Sequence, residues 1–272
     1  MKYAVIGGDE RAVQLVKLLI SAGNEVMCLA LDKAELPFCS VHTEKIPHCD
    51  AVILPLPCEK PAGMLNAPLA ERAYSLSEIE KLIPDGVPVV GGKVPDVFKG
   101  GSRVFDCMAS PAFTVGNADI TAEAAVFMLS ERLNKTLYNS RVLVTGYGRI
   151  GKLLTAKLKA LGCFVTVMSH SKESRAMARA MGISALAPDC DAMELSDFDA
   201  VINTAPAQVL TLSEKMRRDC LLFELASAPG GIDEAKALSL GLTVLKAPGL
   251  PGKYAPGSAA RLIFEFMKEC GL

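Results

Sequence analysis

Three sets of residues have the types and spacing to do chemistry. The first is Gly146-Tyr147-Gly148-Arg149-Ile150-Gly151, a G-x-G-x-x-G run directly after the apolar stretch 142–145. In a dinucleotide fold the first glycine permits the tight turn after a strand. The second lets a pyrophosphate approach the backbone, and the third lets the following helix pack close to the sheet. The phosphates then rest on free N–H groups at the positive end of that helix. A lone glycine fingerprint is unspecific. Here a strand precedes it, a helix pattern at 152–161 follows, Gly162 stops that helix, and a second strand pattern spans 164–168. Gly146, Gly148, Arg149, Ile150 and Gly151 are therefore expected to hold a nicotinamide dinucleotide.

The second set follows that second strand. An NAD site usually places Asp or Glu there, about 20 residues past the glycines, to bind the ribose 2′-hydroxyl. This chain has Ser169, His170, Ser171 and Lys172, with Arg175 one turn on. Hydroxyls and cations suit a 2′-phosphate, so NADP is favoured, with NAD kept open by Glu173. A plain helix-capping role for 169–172 is the alternative. Thr204, Ala205 and Pro206, at the end of the strand at 200–204, and Ala226, after the strand at 221–225, are expected beside the ribose and the nicotinamide.

The third set is dispersed: Asp9, Arg11, Lys93, Thr121, Glu123, Lys253 and Ser258. Topology predicts that the segments carrying them meet in a cleft between two domains, the default place for a small substrate. The cations suit a carboxylated substrate, since an Arg fork binds two oxygens. Asp9 or Glu123 would accept a proton. Each has a structural alternative: Asp9 and Thr121 as helix caps, Arg11 as a partner of Asp9 or Glu10, Lys93 and Lys253 as solvated cations. The histidines stand at 42, 48 and 170, none in the last hundred residues. A late histidine base, the device of hydroxy-acid dehydrogenases of this shape, is thus absent. Cys39, His42, His48 and Cys49 crowd four N/S donors into a short stretch, but their spacing matches no standard zinc finger, and a surface loop is preferred to a metal site.

The elements that must position these residues read as α/β. Residues 2–6, 25–31, 50–54, 87–90 and 103–107 are strand patterns. Helix patterns lie at 11–22, after a Ser75/Glu78 capping box, and from Ile120 to about Asn134. The second half alternates strand and helix: strands at 141–145, 164–168, 200–204, 221–225 and 242–245, helices after Ser213, at 232–240 and at 258–270. The expected architecture is a flavodoxin-like α/β domain at 1–125 followed by a Rossmann, doubly wound parallel-sheet domain at 126–257. The helix after 258 is expected to pack back on the first domain.

With 272 residues, 50% apolar and 22% charged, the composition is globular. A net charge of −1 and no basic stripe argue against nucleic acid. No apolar run reaches the roughly 20 residues of a membrane span. The opening residues lack a signal-peptide profile, so a cytoplasmic protein is expected. The nine cysteines form no C-x-x-C pair and read as small buried hydrophobes. Self-association is left open.

Taken together, the start Gly7-Gly8-Asp9-x-Arg11, the segment Val52-Ile53-Leu54-Pro55-Leu56-Pro57, the stretch Asn117…Thr121-Ala122-Glu123, the glycine loop, and the tail Leu250-Pro251-Gly252-Lys253-x-Ala255-Pro256-x-Ser258-Ala259 resemble the dipicolinate synthase A subunits. The resemblance covers nearly the whole chain. The start and the tail are its more specific parts. It implies oxidation of dihydrodipicolinate to dipicolinate, with NADP as acceptor, in the mother cell of a sporulating bacterium. It also implies a partner, a flavoprotein-like B subunit. The chain departs from the family at Met108-Ala109-Ser110-Pro111-Ala112-Phe113, where an acidic and basic run is usual. Two other readings stand beside it: another NAD(P)-dependent oxidoreductase of a small carboxylated metabolite, and a nucleotide-sensing subunit without turnover.

Overall fold

The structure, a computed structural model, describes residues 1–36, 46–190, 195–227 and 229–272. Its contacts divide the chain into two units. One is 1–117 with 251–272, the other 118–250. The first division falls inside a helix. The second places 251–257, assigned from sequence to the Rossmann half, with the first unit.

The first unit is built on five parallel strands: β1 (Lys2–Ile6), β2 (Glu25–Leu29), β3 (Ala51–Ile53), and, past a small antiparallel hairpin of β4 (Glu59–Lys60) and β5 (Met64–Leu65), β6 (Val89–Gly91) and β7 (Val104–Asp106). They lie in the order β2-β1-β3-β6-β7. Counted along the main sheet alone this is 2-1-3-4-5, the flavodoxin-like order, with its reversal point between β1 and β3. Side chains alternate between faces. Ala4, Ile6, Val52 and Val89 join one core cluster; Tyr3, Val5, Ile53 and Val90 join the other. Both faces are thus covered, as a parallel sheet requires. Helix α1 (Glu10–Ser21) and α2 (Leu76–Leu82) cap as their sequences suggest. Asp9 accepts the Arg11 amide, and Ser75 accepts the Glu78 amide. The Glu78 carboxylate reaches back to the Ser75 backbone, as a capping box requires, and also accepts from Arg72 at 2.7 Å.

The long helix α3 (Pro111–Arg132) begins nine residues before the expected Ile120. Ser110 Oγ accepts the Phe113 N–H at 3.3 Å, and Pro111 takes the first helical position, where its missing N–H costs nothing. Thr121 consequently sits mid-helix and buried, not at a cap.

The second unit holds six parallel strands: β8 (Arg141–Thr145), β9 (Phe164–Met168), β10 (Ser184–Leu186), β11 (Ala200–Asn203), β12 (Leu221–Glu224) and β13 (Thr243–Lys246). The order β10-β9-β8-β11-β12-β13 is the 3-2-1-4-5-6 of the Rossmann fold. Helices α4 (Arg149–Ala160), α5 (Lys172–Ala180) and α6 (Glu234–Ser239) fill the crossovers. One face packs Val142, Val144, Ile202 and Phe223 against α3 and α4. The other packs Leu143, Val201 and Leu222 beneath Leu210, Leu212 and Met216. The helix expected after Ser213 is absent. That stretch runs as turns closed by Met216 N–H to Ser213 O and Cys220 N–H to Arg217 O, and buries its apolar side chains without a helical period.

The chain ends in α7 (Leu250–Tyr254) and α8 (Pro256–Glu269). Ala260, Ile263, Phe266 and Met267 of α8 enter the cluster that also holds Leu15 and Leu19 of α1. Phe266 meets Phe113 edge-on, with ring centroids 5.8 Å apart. The driving force is the apolar face α8 would otherwise leave in water.

Candidate functional site

The carboxyl edge of the Rossmann sheet carries the glycine loop, and each glycine has its own geometric reason. Gly146 has φ +88°, and a Cβ there would lie 2.8 Å from Thr204 Oγ1. The turn off β8 therefore needs both the left-handed backbone and the bare Cα. A Cβ on Gly151 would collide with the carbonyl oxygen of Gly146, so this glycine sets the approach of α4 to β8. Gly148 faces open space, with nothing within 4 Å of where a Cβ would be. It is the N-cap of α4, and no side chain caps it. Arg149 and Ile150 open the helix beyond it. The donors that begin a helix are thus offered to space beside a residue with no side chain. Those residues fit a nucleotide diphosphate.

Beyond β9 the tip is polar and lacks a carboxylate. Ser169 Oγ accepts the Ser171 N–H at 3.3 Å, and Ser171 caps α5 through the Ser174 N–H at 3.1 Å. The segment therefore caps α5, and it leaves His170 and Lys172 exposed. Arg175 folds back, its Nη1 donating to the carbonyls of Ser169 at 2.6 Å and His170 at 2.9 Å. His170 Nε2 lies 3.3 Å from Gln208 O, linking this tip to the loop after β11.

Thr204, Ala205 and Pro206 follow β11 as the topology requires, and Thr204 Oγ1 donates to Thr145 O at 2.9 Å. Ala226 follows β12, its N–H on Glu224 Oε1 at 3.0 Å. The residues that fix both loops, Asn203 and Glu224, were not singled out from sequence. The signal available was a polar pair ending two apolar strands.

In the first unit, Asp9 and Arg11 form one device. Arg11 Nε and Nη2 donate to the two Asp9 oxygens, each at 2.8 Å, and Nη2 also donates to Leu56 O. Arg11 is buried, and only its Nη1 donors remain for a ligand among the described residues. A cavity of about 20 Å³ beside the pair, lined by Gly8, Leu54 and Leu56, has room for about one water. The fork expected to grip a substrate is therefore largely spent on its own helix cap. It ties α1 across the β1/β3 reversal point to the loop after β3, where the Leu56–Pro57 peptide is cis. Gly252 of α7 lies against the same pair; a Cβ there would stand 2.5 Å from Asp9 Oδ2 and 3.1 Å from Arg11 Nε.

Lys93 is exposed in a left-handed conformation, φ +54°. Asp106, another residue not singled out from sequence, holds that turn by accepting the N–H groups of Lys93 and Val94 at 3.0 Å each and of Met108 at 2.8 Å. Ser258 is exposed in the first turn of α8. Glu123 is elsewhere, exposed on α3 in the second unit. Lys157 of α4 sits 3.6 Å from it and 2.9 Å from Asp119.

Burial pushes the thiols of Cys58, Cys107 and Cys220 up to about 12, so these three are inert at neutral pH. Among the described residues no group of three or more His, Cys, Asp or Glu could hold a metal. Cys39 and His42 lie outside the described residues. No described helix is long and apolar enough to cross a membrane.

With a flavodoxin-like sheet and a Rossmann sheet that carries a G-x-G-x-x-G loop, the chain matches nicotinamide-nucleotide-dependent oxidoreductases and is one of them. Residues 114–212 match the NAD-binding domain of D-isomer-specific 2-hydroxyacid dehydrogenases, and residues 2–101 match the N-terminal domain of the dipicolinate synthase A subunit. The chain as a whole is similar to that A subunit. It is 25% identical to the one from Bacillus subtilis strain 168, over 99% of this chain and 95% of the relative. The crystal structure of the dipicolinate synthase A subunit from Bacillus halodurans superimposes with a TM-score of 0.81 at 26% identity, covering 99% of this chain and 97% of the other. A transhydrogenase from Sinorhizobium meliloti shares the fold, with a TM-score of 0.66 at 16% identity, over 98% of this chain and 92% of that one.

Proposed function

We propose that this oxidoreductase converts dihydrodipicolinate to dipicolinate with NADP, as the A subunit of a synthase with a flavoprotein-like B subunit, in the mother cell of a sporulating bacterium. One observation carries the reading. The two sequence segments most specific to the resemblance, Gly7-Gly8-Asp9-x-Arg11 and Pro251-Gly252-Lys253, pack on one another at the Asp9–Arg11 pair. Such a contact makes the start and the tail one structure.

The nucleotide, when bound, accepts a hydride. What the protein must add is modest, because aromatisation of the ring supplies the driving force. A dianion has to be oriented and one ring proton removed. The Nη1 donors of Arg11, with Lys93 and Ser258, are proposed to hold the two carboxylates. Asp9 is proposed to take the proton. Gly146, Gly148, Arg149, Ile150 and Gly151 hold the diphosphate; Thr204, Ala205, Pro206 and Ala226 line the ribose and nicotinamide. Ser169, His170, Ser171, Lys172 and Arg175 form the 2′-phosphate end, and the absence of Asp or Glu among them supports NADP over NAD.

Pyridine absorbance should appear when the chain and its B subunit receive dihydrodipicolinate and NADP. No product with both subunits present refutes the assignment. Replacing Lys172 and Arg175 by Ala should weaken NADP binding by about tenfold or more while leaving NAD binding nearly unchanged. Equal loss for both nucleotides would refute the 2′-phosphate argument.

A further inference from the structure

Thr145, Asn203 and Glu224 end three adjacent strands and stand in register, Thr145 beside Asn203 and Asn203 beside Glu224. Thr145 Oγ1 donates to Asn203 Oδ1 at 2.5 Å. The amide of Asn203 then donates to Glu224 Oε1 at 2.7 Å and to Ala205 O at 2.9 Å, while Oδ1 accepts the Ala205 N–H at 3.2 Å. The Glu224 carboxylate also accepts the N–H groups of Ala226 at 3.0 Å, Gly231 at 2.8 Å and Ile232 at 2.9 Å. Asn203 is 2% exposed.

One buried amide thus ties down both loops that leave β11 and β12. An amide suits this place because one end accepts from Thr145 and Ala205 while the other donates to a carboxylate and a carbonyl. An apolar residue would leave the Glu224 charge without its side-chain donor in a half-buried setting, which is costly.

We infer that Asn203 is a positioning residue for the pyridine nucleotide, acting through Glu224 to set the loop at 204–206 and the backbone at Ala226, Gly231 and Ile232. The inference rests on reading 146–151 as the nucleotide loop. Asn203→Asp tests it, because it sets carboxyl against carboxyl. At about pH 8 both are charged and repel. At about pH 5 they share a proton, and an O–H···O bond replaces the N–H···O bond to Glu224, while the one to Ala205 O stays lost. NADP affinity of the variant relative to wild type should be down about tenfold or more at the higher pH and recover as pH falls. The titratable groups beside Glu224 in register and sequence are Lys246, paired with Glu234 at 2.8 Å, and Asp233, which caps α6. Wild type carries all of them, so the ratio cancels their titration.

Dissociation constants by titration calorimetry, with a melting temperature at each pH, separate binding from folding. Glu224→Gln is the second variant, since it keeps the shape and removes the charge and one acceptor. It should bind NADP about tenfold more weakly at every pH. A pH-independent affinity ratio for Asn203→Asp, or wild-type affinity in Glu224→Gln, overturns the inference. Wild-type protein that binds no pyridine nucleotide overturns the reading of the glycine loop, and this inference with it.

Discussion

At the scale of single residues, two glycines three positions apart are held for opposite reasons. Gly151 is needed by the fold, because a side chain would strike the Gly146 carbonyl. Gly148 is not needed by the fold, because its Cα borders open space and its backbone, at φ −79° and ψ −161°, suits any residue, so its proposed role is to admit the nucleotide. The substitutions should therefore separate. Gly151→Ala should cost about 1–3 kcal/mol of stability through overpacking. Gly148→Ala should leave stability within about 0.5 kcal/mol, yet weaken nucleotide binding by about tenfold or more, because the methyl stands where the diphosphate approaches. Urea unfolding and nucleotide titration on both variants check this, and equal melting losses would refute it. Gly151 was legible in the sequence because no other residue fits beneath the Gly146 carbonyl, whereas Gly148 was marked by the glycine spacing alone. Asn203, Glu224 and Asp106 were not, because an amide or carboxylate at a strand end has many uses, and only the fold shows which N–H groups converge on it. Arg11 was legible as an important cation with two readings, a substrate fork or a partner of Asp9 or Glu10, and the structure shows the pairing with Asp9.

At the scale of elements, strand positions followed from apolar runs, and β1, β8 and β9 agree with them residue for residue. Errors arose where apolar period competes with local capping chemistry. Period alone starts α3 at Ile120; the Ser110-Pro111 pair starts it at Pro111. Period also suggests a helix after Ser213, where buried ion pairing helps fix turns instead. Asp199, just before β11 and 4% exposed, accepts the Arg141 N–H at 2.7 Å and pairs with Lys135 at 2.7 Å and Arg217 at 2.9 Å. Burial alone would raise its carboxyl. The Lys135 hydrogen bond, the Arg141 amide and the two cations outweigh burial and hold it below the usual carboxylate value. A carboxyl depressed on folding contributes stability that is fully present above its unfolded pKa, about 3.9, and is lost as pH falls through the folded one. Asp199→Asn should thus lower stability by about 1–3 kcal/mol at neutral pH, the gap to wild type closing as pH drops below about 4. Thermal melts across that range check the sign; a gap constant with pH refutes it.

At the scale of the whole molecule, each apolar cluster among the described residues draws on one unit only. Two pack the faces of the flavodoxin-like sheet, and three belong to the Rossmann unit. The tail belongs to the first unit's core because α8 carries its own apolar stripe, although 118–250 separates it in sequence from the rest of that unit. Separate cores imply separately addressable stabilities. Calorimetric melting should resolve two transitions with different sensitivities. NADP at about 100 times its dissociation constant should stabilise the Rossmann transition by about 2.7 kcal/mol and leave the other in place. Phe266→Ala removes a ring buried against Phe113, and should lower the flavodoxin-like transition by about 3–5 kcal/mol without moving the nucleotide-sensitive one. A single transition that shifts with both perturbations would show that the two cores melt as one cooperative unit, and the division drawn from their packing would have no thermodynamic counterpart.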